Sequence, residues 1–100
     1  MIYLAPIQGI TDLTYRNLCS VYFRGVNAAI APFIALHKKR KPEKILRELY
    51  PDNNKGIPTI PQIMSADPDD FVTLANALHD IGCGTVNWNL GCTFSMIVKK

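Results

Sequence analysis

Asn87, Asn89 and Cys92 lie close together in the run Thr85-Val86-Asn87-Trp88-Asn89-Leu90-Gly91-Cys92. Asparagine is a poor strand former, so two of them alternating along a β-like run work against local structure. Residues two apart on a strand point the same way, which puts Asn87 and Asn89 on one face and Val86, Trp88 and Leu90 on the other. Gly91 lets the backbone turn sharply and offers Cys92 at the strand's end. A thiol of ordinary pKa, near 8.5, is mostly protonated at neutral pH and can act as an acid there. A side-chain amide both donates and accepts hydrogen bonds, so an amide pair can read a polar ligand edge. An edge strand with a solvated polar face and a structural cysteine accounts for the same residues. Gln62, within Pro61-Gln62-Ile63-Met64, is a further amide in a strand-like setting and by itself reads first as a hydrogen-bonded strand residue.

Six of the eleven basic residues fall between Lys38 and Arg47: Lys38, Lys39, Arg40, Lys41, Lys44 and Arg47. Such a run is a solvated loop and helix face, or a contact for phosphates, since clustered Lys and Arg are the electrostatic footprint of nucleic-acid binding. Cys19, Cys83 and Cys92 are odd in number and widely spaced, with no Cys-x-x-Cys or Cys/His cluster, so neither a disulfide framework nor a metal site is expected. Cys19 and Cys83 read as packed thiols. His37 and His79 carry no pairing signal, and Asp12 and Arg16 read as a capping and salt-bridge pair. No run of eighteen apolar residues exists to span a membrane, and no secretory signal is visible, so a reducing cytoplasm is the expected compartment.

The elements that must hold these residues can be read in order. At 48% hydrophobic and 19% charged, the 100 residues suit one small folded domain. Ile2-Tyr3-Leu4-Ala5 is a short apolar run stopped by Pro6. Thr11 or Asp12 can cap a helix running to about Tyr22, with Leu13, Leu18, Cys19 and Tyr22 as its apolar stripe and Gly25 as its C′ residue. Val26 to Ile34 reads as a strand buried on both faces, because its hydrophobicity is continuous rather than alternating. Pro42 opens a short helix carrying Ile45, Leu46 and Leu49, which Pro51 closes. Thr59 to Met64 is a third strand, in which Pro61 is awkward because it cannot donate to a ladder. Asp67 is an N-cap, Pro68 the first helical residue, and Asp69 and Asp70 set negative charge at the positive end of the dipole. Phe71, Leu74, Ala75, Leu78 and Ile81 recur at helical spacing until Gly82 stops the helix. Thr85 to Leu90 is the fourth strand.

Strands alternating with helices imply an α/β fold with a parallel sheet and right-handed crossovers. Pro6, Pro32, Gln62 and Asn89 sit at strand ends, where parallel α/β folds carry their active face. Four parallel strands make half of a (β/α)8 TIM barrel, which typically needs about 250 residues. The chain is therefore expected to be a fragment, the N-terminal half of such a barrel, with an open edge on each side that invites edge-to-edge self-association.

Leu4-Ala5-Pro6-Ile7-Gln8-Gly9-Ile10-Thr11-Asp12, with Tyr15-Arg16 following, resembles the N-terminal signature of tRNA-dihydrouridine synthases. Pro61-Gln62-Ile63-Met64, the helix ending Asp80-Ile81-Gly82, and Asn87-Trp88-Asn89-Leu90-Gly91-Cys92 follow in that family's order and spacing. Each motif alone is weak; together they cover essentially the whole chain. The resemblance implies an FMN-dependent TIM-barrel oxidoreductase domain over residues 1–100, with the C-terminal half and a helical tRNA-binding domain beyond it. It implies NADPH as reductant and a uridine in tRNA as substrate, reduced at C5=C6. It implies Cys92 as the proton donor, Asn89 as a contact for flavin and base, Gln62 as a contact for the isoalloxazine edge, and Ala5, Pro6 and Ile7 as the backbone segment under that ring. Lys38, Lys39 and Arg40 are the candidate tRNA contacts.

That reaction suits the residues, because the cofactor carries the difficult chemistry while the protein contributes positioning and one acid. Thr93 stands where the family usually has proline, which removes a φ restraint next to Cys92. Ile7 stands where methionine is common. The isolated chain is expected to bind FMN weakly or not at all and to show no turnover. Two other readings compete: a different FMN- or phosphate-binding barrel acting on a small metabolite, and a non-catalytic truncated half barrel that pairs with its own copies.

Overall fold

The structure, a computed structural model, describes residues 1–36, 43 and 46–90. Three parallel strands form one sheet: β1 (Tyr3–Leu4), β2 (Ala28–Ile30) and β3 (Thr59–Ile60), in that order. Two more, β4 (Gln62–Met64) and β5 (Asn87–Asn89), pair in parallel beside it. Helices α1 (Leu13–Tyr22) and α2 (Pro68–Asp80) connect parallel strands. The α/β class with parallel strands and intervening helices is as read from the sequence.

The third strand is not continuous. It divides at Pro61 into β3, which pairs with β2, and β4, which pairs with β5. Pro61 gives up no donor at this point, because only its carbonyl is used, accepting from Asn87 N–H at 2.8 Å. The strand expected over 26–34 is shorter and carries a bulge. Ile30 pairs with Ile60 and Ile34 with Ile63, so three residues on one strand face two on the other. The extra residue falls at Pro32-Phe33, and its effect is to turn both Ala31 and Ile34 toward one face. Ala31 is buried with Ile63, Leu46, Leu49, Leu74 and Leu78, and Ile34 packs against that cluster. A regular strand would have sent Ala31 and Ile34 to opposite sides.

Helix α2 forms as its caps require. The Asp67 carboxylate accepts from Asp69 N–H at 2.9 Å, and Pro68 occupies the first turn. Its end is a Schellman turn: Gly82, at φ +104°, donates to His79 O and Cys83 donates to Leu78 O, both at 3.0 Å. Leu74 and Leu78 are buried against Ile63, with Phe71, Ala75 and Ile81 at the margin.

Helix α1 departs from its expected stripe. Asp12 is its N-cap, accepting from Tyr15 N–H at 2.9 Å, but Leu18 and Tyr22 are 52% and 75% exposed. The buried face is Arg16 and Cys19, one turn apart, and Cys19 packs with Ala29 and Ile57. The helix ends at Phe23 in extended conformation, so Gly25 (φ +98°) lies one residue beyond the expected C′ position. The helix expected from Pro42 lies mostly outside the described residues, apart from buried Leu46 and Leu49. The helical run stops before Pro51, where Tyr50 leaves helical conformation (ψ 126°), and Pro51 then opens a second 3-10 turn, Pro51–Asn53, after Arg47–Leu49.

Candidate functional site

Parallel register and the period of two assign the faces of the sheet. Ile63 and Trp88 are partners in the β4–β5 ladder and turn toward α2. Gln62 pairs with Asn87 and Met64 with Asn89, so these four side chains share the opposite face. There the three amides form a chain: Asn89 Nδ2 donates to Gln62 Oε1 at 3.2 Å, and Gln62 Nε2 donates to Asn87 Oδ1 at 3.0 Å. Gln62 is 8% exposed, while Asn87 and Asn89 are half-buried. Burying three amides without partners would cost about 1–3 kcal/mol each, and the mutual bonds offset that. They also leave donors and acceptors over, since the Gln62–Asn87 bond uses one of the two hydrogens on Nε2.

The opposite face of β5 anchors this arrangement. Trp88 stacks on Phe71 with ring centroids 4.1 Å apart and planes 21° from parallel. Its Nε1 donates to Ser65 O at 2.9 Å. Ser65 in turn is tied to the start of α2, donating to Asp67 O and accepting from Asp67 N–H, both at 3.0 Å. With Trp88 held on one side, its neighbours Asn87 and Asn89 must face the other. Strand propensity is given up here to aim polar groups at one place.

A second polar node lies under the turn after β1. Arg16 is 1% exposed; its Nη1 donates to Thr11 O at 2.8 Å and its Nη2 to Glu48 O at 2.9 Å and Asn54 Oδ1 at 3.0 Å. Burial pushes the guanidinium down from its ordinary pKa, opposed by the nearby Glu48 and Asp12 carboxylates. Thr11 Oγ1 accepts from Ile7 N–H at 2.8 Å. The expected Asp12–Arg16 pairing is thus replaced by separate duties: Asp12 caps the helix, and Arg16 spends its fork on carbonyls and Asn54. Cys83 donates to Leu49 O at 3.5 Å, and burial pushes its thiol pKa up.

Parallel strands present polar residues on the face turned away from α2, and an amide chain runs between neighbouring strands there. A sequence model of the family described as Dihydrouridine synthase (Dus) matches residues 3–100. The chain belongs to this family. It is 30% identical over 98 residues to tRNA-dihydrouridine synthase B of Serratia marcescens, a match covering 96% of this chain and 28% of that protein. The protein of the same name from Vibrio parahaemolyticus is 28% identical over 98 residues, covering 97% of this chain and 30% of that protein. That from Pasteurella multocida is 28% identical over 100 residues, covering 99% and 29%. The chain therefore spans about 30% of the length of these curated relatives. No solved structure matches it.

Of the residues that the dihydrouridine synthase resemblance singles out, Gln62 and Asn89 are brought into direct contact. Ala5, Pro6 and Ile7 directly follow β1, two strands away at the carboxyl edge of the same parallel arrangement. Ile7 is turned into a tight bend, its carbonyl accepting from Ile10 and Thr11 N–H at 3.0 Å each. Cys92, Thr93, Lys38, Lys39 and Arg40 lie outside the described residues. Asn87, which the resemblance does not single out, joins them by accepting from Gln62; its signal in the sequence is the alternation that puts it on one face with Asn89. Arg16 and Asn54 carried no local signal, because what makes them a node is separation in sequence and contact in space. Among the described residues, no group of three His, Cys, Asp or Glu side chains could hold a metal ion, and no helix is long and apolar enough to cross a membrane.

Proposed function

We propose that the chain is the N-terminal half of the FMN-binding (β/α)8 barrel of a tRNA-dihydrouridine synthase, acting in the cytoplasm. In this reading the C-terminal half of the barrel and a helical tRNA-binding domain belong to the rest of the protein. The complete enzyme reduces uridine C5=C6 in tRNA to 5,6-dihydrouridine, with NADPH as reductant. The observation that carries the reading is the Asn87–Gln62–Asn89 amide chain, on the face of β4 and β5 turned away from α2, in a chain matched to the family over residues 3–100. Its donor set fits FMN, because the isoalloxazine edge alternates acceptors and a donor and each amide offers both.

Bound FMN would supply the hydride. Gln62 and Asn89 would hold the ring edge, and Ala5, Pro6 and Ile7 would provide the backbone segment beside it. The bend closed by Thr11 keeps that segment in one conformation. Asn89 also orients the uracil base. Cys92 holds the proton that is delivered to C5, since a thiol can act as an acid. Lys38, Lys39 and Arg40 contact tRNA phosphates and help offset the few kcal/mol needed to extrude a base from the stack.

The test is Cys92→Ala in the complete protein, with dihydrouridine in tRNA counted by mass spectrometry. Loss of a positioned acid should slow formation by about 10²–10⁴-fold. Undiminished dihydrouridine would remove Cys92 from the reaction. A second reading draws on β1 and β5, each of which pairs on one side only among the described residues. Such edges can pair between copies of the 100-residue chain; a stable monomer on size-exclusion chromatography would rule that out.

A further inference from the structure

We propose that Asn87 is a positioning residue that sets which way the Gln62 amide points. This deepens the reading of Gln62 as a contact for the flavin edge, and rests on it. Gln62 is gripped from both sides: its Nε2 donates to Asn87 Oδ1 at 3.0 Å and its Oε1 accepts from Asn89 Nδ2 at 3.2 Å. The terminal torsion of a glutamine is broad and nearly two-fold, so an isolated Gln62 would present oxygen or nitrogen to a ligand almost equally. With Asn87 as an acceptor on one side and Asn89 as a donor on the other, turning the Gln62 amide over sets oxygen against oxygen and nitrogen against nitrogen. The grip therefore selects one orientation. Gln62 then offers a ligand the second Nε2 hydrogen on its Asn87 side and an Oε1 lone pair on its Asn89 side.

Asn87 can hold this role because the backbone that carries it is fixed. It pairs with Gln62 in the β4–β5 register, and its backbone N–H donates to Pro61 O at 2.8 Å. The next residue, Trp88, is fixed against Phe71 and Ser65 O. Asn87 is not a catalytic residue in this account; it acts through Gln62.

The experiment uses the complete protein and reads two quantities besides turnover: the dissociation constant for FMN and the position of the flavin absorption bands. Asn87→Ala removes the acceptor and should weaken FMN binding about three- to tenfold and shift the flavin bands, since one hydrogen bond of ordinary strength loses its alignment. Asn87→Asp keeps an acceptor toward Gln62 Nε2 and should restore both values to within twofold of wild type. A residue that merely supports the strand would not be rescued this way, nor would it move the flavin spectrum. The decisive arm is the double-mutant cycle with Gln62→Leu: Asn87→Ala should add less than twofold once Gln62 is gone. If Asn87→Ala leaves FMN affinity and spectrum unchanged while Gln62→Leu weakens binding, the inference is wrong and the flavin reading survives. An additive cycle also overturns it. If Gln62→Leu itself leaves FMN affinity unchanged, the flavin reading of Gln62 falls first, and the inference with it.

Discussion

Replacing Arg16 by Met should destabilise the fold by about 2–4 kcal/mol, although it removes a charge from the interior. The magnitude follows from what the guanidinium leaves behind. Glu48 O keeps a donor in Asn54 Nδ2 at 2.9 Å, and Asn54 Oδ1 keeps Thr59 Oγ1 at 3.1 Å. Thr11 O has no other side-chain donor among the described residues once Arg16 Nη1 is gone. One fully orphaned buried acceptor costs about 1–3 kcal/mol, and two partly compensated ones add less. The desolvation of the cation, which depresses its pKa, is relieved at the same time and keeps the total from reaching the sum of the bonds. Arg16→Lys keeps the charge but not the planar fork, cannot serve acceptors in three directions, and should fall between wild type and Met. Urea denaturation followed by the fluorescence of Trp88, the single tryptophan, gives the difference directly. Buried ion pairs elsewhere have been replaced by apolar residues at no cost. If Arg16→Met falls within about 0.5 kcal/mol of wild type, the carbonyls are finding other partners and the node does not hold the turns together.

Gly56→Ala should destabilise by about 1–3 kcal/mol, because a Cβ there falls on the Oγ and Cβ of Ser20 in α1; Ser20→Gly should recover most of the loss in the same melts. Trp88→Leu removes the Phe71 stack and the bond to Ser65 O, for about 1.5–2.5 kcal/mol in all. Circular dichroism must follow that variant, since its fluorescence is gone. Cys83 makes stability fall at alkaline pH: burial raises its folded pKa, so its contribution is complete below the ordinary thiol range and is lost as pH rises toward the folded value, the unfolded thiol ionising first. Urea midpoints at neutral and alkaline pH should show a smaller alkaline loss in Cys83→Ala than in wild type; equal losses would refute the assignment. The 100-residue chain by itself should neither retain FMN stoichiometrically nor reduce uridine in tRNA, and a preparation that does both would overturn its assignment as half a barrel.

Local chemistry was legible wherever a few neighbouring residues decide the outcome. Asp67, Pro68 and Gly82 announced both ends of α2, because caps and left-handed turns depend on residues within one helical turn. The alternation of Asn87, Trp88 and Asn89 announced the two faces of β5, because the period of a strand is a property of the backbone. The order of strands and helices carried the α/β class and parallel pairing, and the motifs carried the family. Three things required the tertiary structure. The bulge opposite Pro61 turns Ala31 and Ile34 to the same side, which depends on the register between strands some thirty residues apart. The buried face of α1 is Arg16 with Cys19 rather than the apolar stripe, because the Thr11 carbonyl and, from a distant segment, Asn54 and the Glu48 carbonyl satisfy the guanidinium that would otherwise be excluded. And the asparagines of the Asn87–Asn89 run join into one amide chain only when strand pairing brings Gln62 between them. Amides separated by twenty-five residues carry no mark of each other in sequence; their bonds exist because the β4–β5 ladder fixes the register and Trp88 fixes the roll.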